Sequence, residues 1–300
     1  MKQFGDHIWR NGQIIPMEDA KVSLINHCMH YGSGVFEGIR CYQTERGTAV
    51  FKLKEHMERL HYSASVLEIK IPYSVEELSQ ANLEVIRANK LDSGYIRPVA
   101  MFGEGKMGLN PHGADIDTFI AAWAWGKYLS DDPITVGTSP WIRIHPKSLQ
   151  ADAKINGHYV NSIMSSQWAH NNNYQEALLL DYEGNLAEGP GENLFIIKDG
   201  TMYTPKLGTI LSGITRATII EIAEAELGIK TIETTLKPED LVNADEAFFT
   251  GTAAEVTILK SIDGQQIGDQ SNDISGKLKQ LYADVVEGRV EKYDNWLSYV

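Results

Sequence analysis

Apolar and polar positions along this chain recur with two periods, and the switches between them mark out its elements. Between Lys54 and Glu68, the apolar residues Met57, Leu60, Ala64 and Leu67 fall at helical spacing. Ser74-x-x-Glu77 is a capping box that predicts a second helix running to about Lys90. ITRATIIEIAEAELG is an amphipathic helix closed by Gly228, and GHYVNSIMSSQWAHNNN and LKQLYADVVEG also read as helical. Shorter runs between them read as strands. IWRNGQII predicts a hairpin, with Asn11-Gly12 as its turn. GVFEGIRCY, AVFKL, YIRPVAMFG and TFIAAWAWG follow, each as one strand. KYLSDDP is polar and ends in proline, so it reads as a linker. Beyond it lie ITVGTSPWIRI, ALLLDYEG, NLFIIKDG, MYTPK, IKTIETTL, EAFFTG and EVTILKSIDG. The pattern predicts a small α+β domain over 1–126, a linker at 127–133 and a larger strand-rich domain over 134–300. There is no internal repeat and no low-complexity tract.

Composition narrows the function class. The 300 residues are 43% hydrophobic and 22% charged, enough for a substantial core. The net charge of −13 argues against non-specific binding to nucleic acid or to anionic membranes. It leaves room for a small anion held by a few local cations. Cys28 and Cys41 form no CxxC and read as reduced thiols. MKQFGDHIWRNG has no apolar h-region, and the apolar run FIAAWAW is too short to span a bilayer. The expectation is a soluble, cytoplasmic protein.

Several motifs then compete. GEGKMG fits G-x-G-x-x-G, but the following LNPHG forbids the helix that a dinucleotide site requires, so a glycine-rich loop over a pocket is the better reading. HCMH lacks a further convergent ligand elsewhere, which favours a structural role and no metal. LAEGPGENLF, Leu186 to Phe195, sets Glu188 and Glu192 around a tight turn between two apolar runs. A carboxylate there is either solvated on a hairpin or aimed into a pocket, because burying it unpaired is expensive. SGITRATII places a glycine before a helix, whose free N–H groups, with the Thr215 hydroxyl, make a ready anion site. FFTGTAAE ends a strand in Gly251-Thr252-Ala253 and can add further N–H groups, while Arg59 in EHMERLH can add positive charge. In ADAKINGHY, Lys154 is flanked by Ala153 and Ile155; if desolvated, its amine becomes nucleophilic. A phosphate site, a nucleophilic lysine and a buried carboxylate are three requirements of pyridoxal phosphate chemistry.

Together these stretches resemble the branched-chain amino-acid aminotransferases, members of the fold-type IV pyridoxal-phosphate enzymes. Seven motifs in the same order carry the likeness over nearly the whole chain: HYGSGVFEGIR, EHMERLH, YIRP, AKINGHY, LAEGPGENLF, SGITR and GTAAE. The resemblance implies a small α+β domain, a short linker and a larger pseudo-barrel domain binding pyridoxal 5′-phosphate. It implies that Lys154 is the Schiff-base lysine and proton shuttle, and that Glu188 bonds the pyridine nitrogen. Tyr159 would bond the cofactor's phenolic oxygen. Arg59, Ile214, Thr215 and Thr252 would hold its phosphate. On the substrate side, Tyr95 with the N–H groups of Thr252 and Ala253 matches the α-carboxylate site. Phe36, Tyr31, Trp125, Tyr128 and Tyr159 would wall an apolar pocket, and Arg97 would meet the distal carboxylate of glutamate with the Tyr31 and Tyr128 hydroxyls. Glu192 reads as structural or as a support behind the residues that contact the cofactor. Tyr31 and the loop around Leu109 would reach a partner subunit's site, which implies at least a homodimer with shared active sites. Pro190 departs from the small residue expected there and should stiffen the turn.

The implied reaction moves an amino group between leucine, isoleucine or valine and 2-oxoglutarate, so the expected partners are amino acids and 2-oxo acids. D-Amino-acid aminotransferases, R-selective amine transaminases and aminodeoxychorismate lyases share the lysine and glutamate, but GENLF and YIRP favour the branched-chain group. A two-carboxylate glycosidase built on Glu188 and Glu192 would leave Lys154 and the anion elements unexplained. So would a non-catalytic binding protein.

Overall fold

The computed structural model describes residues 4–126 and 129–300. They form two compact units. Of the described residues, the first comprises 4–126, 153–157 and 284–300, and the second comprises 129–152 and 158–283. Two stretches from beyond the expected linker thus pack with the first unit, and one of them carries Lys154.

The first unit is built on an eight-stranded antiparallel sheet. Its order runs Leu297–Tyr299, Gly47–Phe51, Ile39–Thr44, Gly94–Phe102, Ile116–Trp123, His7–Arg10 and Gln13–Pro16, with Gly34–Phe36 also paired to Gly94–Phe102. The hairpin at Asn11-Gly12 forms as expected, both residues taking positive φ, which only such turn residues adopt at little cost. Helices Leu53–Val66 and Val75–Asn89 supply the core residues Met57, Leu60, Leu78 and Ile86, all fully buried against the sheet residues Ile39, Ile96 and Ile120. The Ser74 capping box is made in both directions.

GVFEGIRCY is not one strand. It breaks at Glu37-Gly38 into Gly34–Phe36 and Ile39–Thr44. A Cβ on Gly38 would collide with the Tyr95 hydroxyl at 1.9 Å, and the Glu37 N–H bonds to the carbonyl of Pro98. The break leaves the Glu37 side chain completely buried.

The second unit is a closed sheet. Leu186–Glu188 pairs with Glu176–Leu180, which pairs in parallel with Ile134–Thr138. Ile134–Thr138 pairs in parallel with Glu255–Ile262, which joins Glu246–Gly251 and then Asn193–Lys198. A single pair, Glu188 with Asn193, closes the ring. Thr201–Pro205 and Thr231–Thr234 extend from the far end of Asn193–Lys198. Helix Tyr159–Asn171 lies in the crossover between the parallel strands Ile134–Thr138 and Glu176–Leu180, and helix Ile214–Leu227 in that between the parallel strands Thr201–Pro205 and Thr231–Thr234. Val136, Leu178, Leu194, Phe249 and Leu259 fill the core of this unit. No helix among the described residues is long and apolar enough to cross a membrane.

Candidate active site

The sequence-predicted residues divide between the two units. In the first, Glu37 accepts from Arg59 Nε and Nη2, both at 2.7 Å, and pairs with His56 Nδ1 at 2.7 Å. Burial alone would raise the Glu37 carboxyl. The Arg59 charge, with hydrogen bonds from Arg59 and His56, outweighs burial and holds it well below the usual carboxylate range. The stabilisation from this cluster is therefore present above the ordinary glutamate range and is lost as pH falls through the lower folded value. Burial, partly offset by Glu37, pushes His56 down. Arg59 is thus aimed by a bidentate carboxylate rather than by its own flexible stem.

Beside this cluster, the Lys154 amine sits 5.0 Å and the Arg97 guanidinium 4.5 Å from the centre of the Phe36 ring. Arg97 donates to the Tyr95 hydroxyl at 3.0 Å, while its buried Nε has no hydrogen-bond partner. Trp125 packs edge-on against Tyr95, their rings 4.6 Å apart. Phe36, Tyr95, Arg97, Trp125, Arg59 and Lys154 therefore share one unit. Tyr31 is exposed on the short helix His27–Tyr31. His27 bonds Ser33 Oγ and the Gly108 carbonyl through its two ring nitrogens, so HCMH ties the glycine-rich loop to the helix. That loop leads into the strand Ile116–Trp123, not into a helix. Tyr128 lies outside the described residues.

In the second unit, Glu188 is buried at the closure of the sheet. Arg143 Nε donates to its Oε1 at 2.5 Å, Asn193 Nδ2 to its Oε2 at 2.9 Å, and the Leu211 N–H lies 3.2 Å from both oxygens. This decides the question posed by LAEGPGENLF: the carboxylate is not solvated on a hairpin. Glu192 is buried as well and accepts from the Gly191 N–H, while its carbonyl takes the Gly189 N–H across the turn. Asn193 also donates to the Leu211 carbonyl, and a Cβ on Gly213 would strike its Oδ1 at 1.9 Å. Asn193 thus sets the start of helix Ile214–Leu227 against Glu188. Gly213 caps that helix with no side-chain hydrogen bond and no acidic residue in the first turn, which suits an anion at Ile214 and Thr215. Gly251 packs close to Gly191, which brings Thr252 and Ala253 next to the same turn. Tyr159 opens helix Tyr159–Asn171.

Each unit holds groups of the kind pyridoxal phosphate binds: an aimed arginine and a lysine in the first, and a helix start without a side-chain cap and a held carboxylate in the second. Sequence motifs alone do not reveal Glu37, His56, Arg143 and Asn193. Glu37 is hidden in a run that reads as continuous strand, and Arg143 in an ordinary alternating stretch.

The class IV amino-transferase family model matches residues 34–262. The chain belongs to this aminotransferase family. Its curated relatives include the branched-chain-amino-acid aminotransferase of Pseudomonas aeruginosa, 43% identical over 98% of this chain and 97% of that protein. The Escherichia coli K12 enzyme of the same name is 42% identical over the same shares. Among solved structures, the branched-chain aminotransferase of Thermoproteus uzoniensis with norvaline superposes with TM-score 0.95 at 42% identity, covering 98% of this chain and 99% of that one. The Thermobaculum terrenum branched-chain amino acid aminotransferase, solved in its PLP-bound holo-form, superposes with TM-score 0.94 at 33% identity over 99% of each chain. This class IV aminotransferase has the fold-type IV architecture, with mixed helix and sheet and a barrel-like second sheet.

Arg143 and Glu188 should behave as one buried unit. Arg143→Met leaves the carboxylate without its arginine and should destabilise the cofactor-free protein by about 3–5 kcal/mol. The double variant with Glu188→Gln should lose clearly less than the sum of the two single losses. Urea denaturation of the four proteins checks this, and additive losses would contradict it.

Proposed function

We propose that this class IV aminotransferase is a branched-chain amino-acid transaminase. It uses pyridoxal 5′-phosphate to move an amino group between L-leucine, L-isoleucine or L-valine and 2-oxoglutarate. The observation that carries this reading is the buried Glu188 carboxylate, gripped by Arg143 and Asn193, in a chain whose relatives of that name align end to end. The D-amino-acid, R-amine and lyase alternatives draw no comparable support.

The cofactor supplies an electron sink for the bonds at the donor's α-carbon. Glu188 would hold the proton on the pyridine nitrogen, and Arg143 keeps Glu188 as the charged acceptor. Arg59, Ile214, Thr215 and Thr252 would hold the phosphate, and Tyr159 the phenolic oxygen. Lys154 would bind the cofactor and then take the proton from the donor α-carbon. Tyr95, Thr252 and Ala253 would orient the α-carboxylate. Tyr31, Phe36, Trp125 and Tyr128 would enclose a leucine side chain, and Arg97 would receive the glutamate carboxylate.

The Arg97 assignment separates two unlike donors. Its partnerless Nε, beside the apolar Phe36 ring, has the chemistry to receive a carboxylate that an apolar pocket would reject. Initial rates with purified holoenzyme should show leucine–2-oxoglutarate exchange. Arg97→Ala should raise KM for glutamate and 2-oxoglutarate about ten- to a hundredfold, from a lost charge-assisted contact, with a much smaller change for leucine. Absence of leucine turnover in the wild type would sink the function, and equal losses for both donors would sink the role of Arg97.

The protein works as a homodimer or larger homo-oligomer, with Tyr31 and the Leu109 loop completing the partner's site. Support comes from large apolar side chains left exposed: Leu24, Ile25 and Leu109 in the first unit, and Val160, Ile163 and Met164 along one helix face in the second. Sedimentation equilibrium should return at least twice the 33.4 kDa chain mass; a monomer with full activity would rule this out. The two buried free cysteines are consistent with a cytoplasmic setting.

A further inference from the structure

Lys154 lies on neither a helix nor a named strand. Its neighbours Ala153 and Ile155 are buried in the first unit's core, yet the segment from 153 to 157 is only five residues long. Something must fix where its backbone sits, because a lysine amine rides on a flexible four-carbon stem. Contacts with the rest of the first unit do so. The Phe36 N–H donates to the Lys154 carbonyl at 3.2 Å within an isolated bridge between Val35 and Ile155, and the Gly157 N–H bonds the Gly32 carbonyl at 3.1 Å. These are backbone contacts that nearly any side chain would permit. Side chains add to them: Asn156 Nδ2 lies 3.8 Å from Cys28 Sγ, and at the lysine itself the Lys154 N–H donates to Ser63 Oγ at 2.9 Å.

Ser63 is completely buried on helix Leu53–Val66. It stands four residues after Arg59 and seven after His56, so all three share one face of that helix. The helix face therefore grips two things. Through Arg59 it presents the charge that Glu37 aims, and through Ser63 it pins the backbone of the lysine. The distance between them is fixed by one turn of α-helix, about 6 Å of rise, and not by any loop.

We infer that Ser63 is a positioning residue for Lys154: its hydroxyl registers the lysine against the Arg59 anchor on the same helix. This rests on the proposed cofactor role of Lys154. In that role the amine nitrogen bonds to the cofactor's aldehyde carbon and the aldehyde oxygen leaves as water. Misplacing the amine slows this step while sparing phosphate-anchored binding, which gives the test its shape.

Ser63→Ala removes the acceptor, and Ser63→Cys replaces it with a weak one of similar volume. Three measurements read the result. In cofactor-free protein, hydrogen exchange across 152–157 should rise about tenfold or more at the Lys154 amide, because its closing bond is gone. Borohydride trapping of pyridoxal phosphate onto Lys154 should slow about ten- to a hundredfold in Ser63→Ala, the scale expected for a displacement near 1 Å, and by less in Ser63→Cys. Affinity for pyridoxamine phosphate, which cannot bond to lysine, should stay within about threefold, because its phosphate contacts are independent of Ser63. Unchanged exchange and trapping in folded Ser63→Ala would overturn the inference. So would an equal loss of pyridoxamine phosphate affinity, or failure of both variants to fold, since each would assign Ser63 to the fold at large. A wild type that traps no pyridoxal phosphate on Lys154 would instead refute the proposed function.

Discussion

Burying a carboxylate in a sheet is expensive unless cations and N–H groups meet it, and Glu188 is met from three directions. Arg143 comes from the segment after strand Ile134–Thr138, Asn193 from the strand that closes the ring, and the Leu211 N–H from the approach to helix Ile214–Leu227. Each partner belongs to a different part of the unit, so the position of one carboxylate constrains all three. Asn193 carries the constraint onward. Its amide spans Glu188 and the Leu211 carbonyl, and its oxygen occupies the space that a side chain at residue 213 would need. The helix start suited to an anion is thereby placed relative to the carboxylate suited to a cation.

The first unit solves a similar problem with a helix in place of a barrel seam. Glu37, fully buried, is stable as an anion because Arg59 and His56 surround it. The same helix face reaches the lysine backbone through Ser63. In both units a side chain with a proposed role is fixed by a partner that has none in contact with the substrate. Such indirect support keeps a catalytic geometry within the narrow tolerance that rate enhancement requires.

Much of this was legible in the chain. The capping box at Ser74, the turn at Asn11-Gly12 and the helix stop at Gly228 depend on local chemistry, and all three appear in the structure. The motifs that carry the family resemblance single out Lys154, Glu188 and Arg59 because those residues sit in short distinctive stretches. What the sequence hid was long-range. Glu37 looks like one polar position in a strand until Gly38 is seen passing the Tyr95 hydroxyl, a contact across 57 positions. Arg143 is 45 residues from Glu188, and Ser63 is 91 from Lys154. No local periodicity encodes such pairings; only the closed sheet and the return of residues 153–157 to the first unit create them.

The proposed role of Glu188, held by Arg143 and Asn193, is to keep a proton on the pyridine nitrogen of the cofactor. The most direct measurement is the ¹⁵N chemical shift of pyridoxal 5′-phosphate labelled at that nitrogen, bound to the intact protein and to Glu188→Gln, across neutral pH. The nitrogen should be protonated in the wild type and unprotonated in the variant. A wild-type nitrogen that is unprotonated, or a variant that keeps its proton, would contradict it.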